Sequence, residues 1–179
     1  MFTKLLLIFV LSASLVAAQP NYTRIRGAFG VEIFGIAPKG AFTAEAAFGY
    51  GKKSFWNVQA GVGAVSEPDF RSPSFSAALT HCFILNPYRR KTCIPQPGHR
   101  NIETYFEAGL GSFFIDRYDR GLHSGANGQQ LVTPAGMAGL RLDLVTERWI
   151  YILKLRYTPP LIANPLASLA GFGIAMGWR

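Results

Sequence analysis

A strict alternation of apolar residues with small or polar ones runs through eight separate segments of this sequence. In the clearest segment, every second residue from Trp149 to Tyr157 is aromatic or leucine, and Lys154 and Arg156 lie between them. A period of two places alternate side chains on opposite faces of a β-strand. The sequence therefore predicts an all-β chain of eight strands. The other seven segments lie around Phe29, Phe42, Trp56, Phe75, Phe106, Ala138 and Ala170.

The length of the segments indicates how the strands are used. Each has about nine to eleven residues, the length of a tilted β-strand that crosses a bilayer. A spanning helix needs about 20 apolar residues, and beyond Gln19 every apolar stretch is interrupted earlier by Gly, Pro or a charge. We expect one domain, residues 19–179, that forms an eight-stranded antiparallel up-and-down transmembrane β-barrel.

The polar face of the predicted strands carries a small, sign-balanced set of charges. An Arg or Lys that faces lipid at mid-depth costs about 2 to 4 kcal/mol, so we expect these side chains to pair inside a narrow lumen. The alternative is a soluble lipocalin-like barrel with its charges outside, although such an outer face normally carries more Lys and Glu. The predicted lumen network is Glu32, Glu45, Glu107 and Asp143 with Arg141, Lys154 and Arg156.

Aromatic residues cluster at one rim of the predicted barrel. If both chain ends lie in the periplasm, every second connection returns to that side. The three tryptophans of the chain then fall at this rim on the apolar face, as expected for a girdle at a membrane interface. The predicted girdle is Tyr50, Trp56, Trp149 and Trp178, and a second girdle at the far rim would contain Phe42, Phe75, Phe114 and Tyr157.

The first 18 residues have the features of a secretory signal peptide. Lys4 is followed by an apolar run, and Val16-Ala17-Ala18 is a small-residue cleavage site. The chain has a formal net charge of +8, but export makes intracellular nucleic acid an implausible reason for that surplus. We therefore expect no nucleic-acid partner.

The chain has two cysteines, Cys82 and Cys93. In an exported protein an even pair favours one disulfide, and a free or metal-binding pair is the alternative. The bond would close a loop of about a dozen residues and contribute roughly 2 to 3 kcal/mol. It would hold the long 86–101 connection against the rim. The basic residues of that connection, Arg89, Arg90 and Lys91, are either a solvated turn or a contact for lipid phosphates.

The last ten residues, Ala170 to Arg179, alternate with glycine and carry Trp178 next to the end. This segment resembles the terminal strand of bacterial outer-membrane barrels, and the mature chain is similar to their eight-stranded OmpA or OmpX type. Residues 106–111 and 156–159 are similar to a large outer-membrane barrel family. The resemblance implies a bacterial outer-membrane location, lipopolysaccharide and phospholipid as neighbours, and recognition of the last strand by the barrel-assembly machinery. Arg179 departs from the usual pattern, in which the aromatic residue is last.

Three functions are compatible with such a barrel. The first is a non-enzymatic structural or interaction role, with the loops Ser66–Pro73 and Asp116–Gln130 as the recognition surface and an unknown ligand. The second is a lipid-modifying enzyme that uses His123 and Ser124, although a glycine-rich loop would orient them poorly. The third is a channel, disfavoured because side chains fill an eight-stranded lumen. We expect the first, with no catalytic residue, metal or cofactor and with both termini in the periplasm.

Overall fold

The computed structural model describes residues 22–67, 70–86, 101–116, 130–164 and 166–179. They form a closed barrel in which each strand pairs antiparallel with the next and β1 pairs with β8. The predicted all-β fold with eight antiparallel strands is therefore confirmed. The strands are β1 (Gly27–Phe34), β2 (Gly40–Phe48), β3 (Ser54–Glu67), β4 (Phe70–Ile84), β5 (Asn101–Asp116), β6 (Gln130–Val145), β7 (Trp149–Tyr157) and β8 (Ala170–Trp178).

Cross-strand register keeps the two faces of the sheet separate around the whole barrel. Leu153 lies opposite Leu142 on one side and Ile174 on the other, so outward positions pair with outward positions. In β8 every even-numbered residue is exposed and every odd-numbered residue between Gly171 and Gly177 is buried. A slip of one residue would turn the charged side chains outward, and this fixes the register.

The barrel is taller on one side than on the other. Strands β3 to β6 have 14 to 16 residues, whereas the other four have eight or nine. The prediction of a long loop over Ser66–Pro73 was wrong, because pairing continues to Glu67 and Phe70 and only residues 68–69 connect the strands. Val65 and Ser72 point inward there, so the alternation continues past the membrane-length segment.

Both ends of the barrel are closed by chain that folds inward. We call the end with residues 22–26, the β2–β3 turn and the β6–β7 turn the termini end, and the other the opposite end. At the opposite end the β1–β2 turn places Ile36 in the lumen. Its Cδ1 lies 2.1 Å from the position that a Cβ on Gly111 would take, so the glycine at position 111 leaves room for this side chain. Five inward apolar residues of β3 to β6 bury Ile36: Val65, Ala78, Phe113, Ile115 and Met137.

At the termini end the segment before β1 packs under the barrel mouth. Tyr22 is buried against Phe55 and Tyr105, and Ile25 is buried with inward residues of β6 and β7. The chain therefore covers this mouth with its own residues. No helix in the described ranges is long and apolar enough to cross a bilayer.

Several predicted features lie outside the described residues. These are the signal peptide, the 87–100 segment with Arg89, Arg90, Lys91 and Cys93, and the 117–129 segment with His123 and Ser124. They stay predictions.

Candidate functional site

All seven charged residues of the predicted lumen network lie inside the barrel. Their side chains are at most a few per cent exposed. They come from five of the eight strands and meet at mid-height, between the two apolar ends. The side-chain alternation is responsible, since each occupies the inward position of its strand.

Arg156 of β7 connects three strands across the lumen. Its Nη1 lies 2.8 Å from Glu32 Oε2 and donates a 2.7 Å hydrogen bond to Gln59 Oε1. Its Nε donates to Glu107 Oε2 at 3.0 Å. The other oxygen of Glu32 accepts the backbone N–H of Ile36. Arg156 is therefore linked through Glu32 to the turn that closes the opposite end.

Arg141 and Lys154 form the second half of the network. The Nε of Arg141 lies 2.8 Å from Asp143 Oδ1, and its Nη1 lies 3.4 Å from Glu45 Oε2 and 3.7 Å from Glu107 Oε1. Lys154 pairs with the other oxygen of Glu45. Glu107 thus contacts both arginines and joins the two halves. Arg141, Arg156, Glu45 and Glu107 each have more than one oppositely charged partner, which offsets the cost of removing them from water.

Glycine provides the space for these long side chains. A Cβ on Gly139 would lie 2.3 Å from the carbonyl oxygen of Leu155 and 3.1 Å from Arg156 Cγ. The Arg156 side chain therefore passes close to the place where any residue other than glycine at position 139 would have its Cβ.

Glu103 is a functional residue that the sequence analysis missed. It lies 1 % exposed at the termini end, where its carboxylate accepts the backbone N–H and hydroxyl of Thr23 and the hydroxyl of Tyr105. Glu103 shares the parity of Glu107 and Tyr105, so extending the alternation of β5 toward its start identifies it. Thr23 lies in irregular chain, where no sequence pattern predicts a contact.

Tyr50 does not lie in the predicted aromatic girdle. Its hydroxyl donates to the Ile25 carbonyl and accepts the Ile25 N–H at 3.1 Å, so it faces the closed mouth. The reason is Gly49, whose φ of +61° ends the alternation after Phe48. Burial raises the pKa of Tyr50 to about 12 and raises that of Tyr22 further. Both hydroxyls therefore stay protonated at neutral pH and act as donors.

We expect Glu103→Ala to lower the free energy of unfolding by about 2 to 3 kcal/mol, because it leaves three buried donors without an acceptor. Residues 22–26 should also become accessible to trypsin at Arg24 and Arg26. The measurement is denaturant unfolding in detergent, with timed proteolysis of the folded protein. Glu147→Ala in the exposed β6–β7 turn is the control and should change stability by less than about 1 kcal/mol. Equal effects of the two changes would contradict the role given to Glu103.

The outer surface of the barrel is apolar and has aromatic residues at its termini end. Leu110, Ile174 and Leu155 are each more than half exposed. Trp56, Trp149 and Trp178 all point outward near the termini end, where Trp56 stacks on His81 with ring centroids 4.4 Å apart. At the other rim Phe75 and Phe114 lie with ring centroids 6.4 Å apart, and Phe42 and Tyr157 are exposed.

Cys82 is buried in the barrel interior and is free among the described residues. Its thiol donates to Glu107 Oε1 at 3.7 Å. Since Cys93 lies outside the described residues, the predicted bond between them stays a prediction. Across the described part of the chain, no group of three or more His, Cys, Asp or Glu residues has the arrangement of a metal site.

The arrangement of strands has a counterpart among solved structures. The crystal structure of the N-terminal β-barrel domain of Pseudomonas aeruginosa OprF is similar, with a TM-score of 0.55 over 87% of this chain and 98% of that chain. The two chains share one fold. Sequence identity between this chain and the OprF barrel domain is 13%, so the likeness concerns the fold. No protein-family model matches the chain, and no curated protein matches its sequence.

The distribution of residues in this OprF-like barrel is that of a membrane β-barrel. Charge is enclosed and the outward positions are apolar, which is the reverse of a soluble lipocalin-like barrel. An exposed apolar surface of this extent requires a partner, and lipid covers all sides of a barrel at once. The soluble alternative is therefore not supported.

Proposed function

We propose that this protein is an integral outer-membrane β-barrel with a structural or surface-interaction role and no enzymatic activity. The observation that carries the proposal is the apolar outer surface around a charged, side-chain-filled interior. The network that joins five strands stabilises a rigid body rather than a reaction site. In the proposed role, lipopolysaccharide and phospholipid surround the barrel, and the assembly machinery binds β8 during insertion.

The closed lumen argues against a channel as the function. Ile36 and its partners close the opposite end, and Tyr22, Phe55 and Tyr105 close the termini end. Between them Arg156 and Arg141 span the lumen in ion pairs. Steady ion flow would require both closed ends and the charge network to rearrange together.

Heat modifiability tests the membrane proposal. The folded protein in detergent should resist cold SDS and change its migration on boiling, because a closed barrel has no free edge at which unfolding can begin. Incubation of the same folded sample with labelled lipopolysaccharide and phospholipid should leave both lipids unchanged. Unchanged mobility together with solubility in the absence of detergent would exclude a membrane barrel. A modified lipid would favour the enzyme that uses His123 and Ser124.

The orientation we propose places both termini in the periplasm. Single cysteines at Ala163 and Lys52, at opposite ends of the barrel, test it in a Cys82→Ser and Cys93→Ser background. In intact cells an impermeant maleimide should label position 163 and leave position 52 unlabelled until the outer membrane is opened. Labelling of position 52 alone would show that the barrel has the reverse orientation, with both termini outside the cell.

A further inference from the structure

The outer surface carries a groove at the termini end, where β7, β8 and β1 adjoin. It has a volume of about 620 Å³. Phe29 and Met176 form its apolar floor, and the two tryptophans that lie opposite each other in β7 and β8 flank it. The remaining residues that line it are Glu147, Arg148 and Arg179.

Gly27 determines the shape of this groove. A Cβ at Gly27 would lie 2.7 Å from the outer edge of the Trp178 ring, so the glycine lets that ring lie across β1. There it stacks on Phe29, with ring centroids 5.4 Å apart. This position holds the Trp178 ring against β1.

Two arginines lie at the membrane-surface end of the groove. Arg148 lies over the Trp149 ring at 5.7 Å, and Arg179 Nη2 donates to the carbonyl of Thr146. The Arg179 Nε is a buried donor that has no hydrogen-bond partner among the described residues. Both guanidinium groups thus line the groove beside its apolar residues.

The surroundings add positive charge. Among the described residues, the charges that lie outside the lumen at the termini end are six cations and one acid. A positive rim above an aromatic girdle attracts anionic lipid, by about 1 kcal/mol for each Lys or Arg near the surface. The termini-end charges are Arg24, Arg26, Lys52, Lys53, Arg148 and Arg179 with Glu147.

We propose that this groove binds one anionic phospholipid of the leaflet at the termini end. Its phosphate would accept hydrogen bonds from Arg148 and Arg179, and an acyl chain would lie between Trp149 and Trp178 on Phe29 and Met176. The apolar floor continues into the lipid-facing surface of β1 and β8, so a chain can extend along it. The inference rests on the proposed membrane insertion.

Native mass spectrometry of the folded protein in detergent tests the proposal. The probes are phosphatidylglycerol and phosphatidylcholine with identical chains. We expect about a fivefold preference for phosphatidylglycerol, since two arginines opposed by one Glu leave a net attraction of about 1 kcal/mol. Millimolar inorganic phosphate should not displace the lipid, and displacement would show a site for free phosphate instead.

Matched variants separate the groove from the general charge of the rim. Arg148→Gln with Arg179→Gln should abolish the preference, while Lys52→Gln with Lys53→Gln, the same loss of charge elsewhere on the rim, should keep it within twofold. Gly27→Ala should weaken the binding of both lipids at least threefold by displacing the Trp178 ring, with no change in charge.

The outcomes that overturn the proposal are separate from a failure of insertion. Equal losses in the two double variants, unchanged lipid binding by Gly27→Ala, or no preference in the parent protein would each overturn it. Heat modifiability is recorded on the same samples. A parent protein without a mobility shift would contradict the proposed function itself, whereas a shifted protein without lipid preference would contradict the groove alone.

Discussion

Replacing Arg156 with leucine should lower the free energy of unfolding by about 3 to 5 kcal/mol, the cost of leaving a buried charge without its partner. Glu32 and Glu107 would each lose a contact of 3.0 Å or less, and Gln59 would lose its donor. Apolar surface gained by leucine cannot offset the loss of the closest cation by two buried carboxylates.

The measurement for Arg156→Leu is equilibrium unfolding in denaturant with tryptophan fluorescence as the signal. Arg26→Leu is the matched control, since it makes the same substitution at an exposed cation outside the barrel interior. It should change stability by less than about 1 kcal/mol. A result for Arg156→Leu within 1 kcal/mol of the parent protein would mean that the network does not stabilise the barrel.

Replacing Ile174 with arginine should impair insertion into lipid vesicles by about 2 to 4 kcal/mol, the cost of an Arg at the bilayer midplane. Ile174 is at the centre of β8, opposite Val31 and Leu153, and is 57% exposed. Its side chain faces outward, where only lipid can lie against it. The folded fraction after addition to vesicles, read from the heat-dependent gel shift, measures the effect.

Leu161→Arg is the control for that experiment. Leu161 is 63% exposed, close to the value for Ile174, but lies in the β7–β8 connection rather than in a strand. The same substitution there should leave insertion unchanged. If Ile174→Arg inserts as well as Leu161→Arg, the outer surface of the strands does not face lipid.

Sequence periodicity predicted the strand centres and both faces because every side chain in a strand obeys the same two-residue repeat. It failed where the backbone leaves that repeat. Gly49, in the left-handed region, turned Tyr50 inward, and Ile36 entered the lumen through a turn that has no periodicity.

Strand ends were also predicted less well than strand centres. The segment around Ser66–Pro73 contains proline, serine and charged residues, which are typical of a loop, yet β3 and β4 continue through it. Pairing with a neighbouring strand there outweighs local propensity. Glu103 was missed for the same reason. The strand β5 was identified from the apolar segment around Phe106, but it begins earlier, at Asn101.

The most direct test of the account is to map which residues of the native protein touch lipid. A lipid-borne diazirine, photolysed in vesicles that contain the folded barrel, labels residues next to acyl chains, and mass spectrometry locates the label. Apolar residues lie on both the outer and the inner face of the barrel. A preference of the diazirine for apolar side chains would therefore not by itself favour the outer face. We expect label on Leu110, Leu155 and Ile174, which face outward, and none on the buried Ile152 or Phe113. Label on Ile152 and Phe113, or label on none of the five in a folded sample, would contradict it.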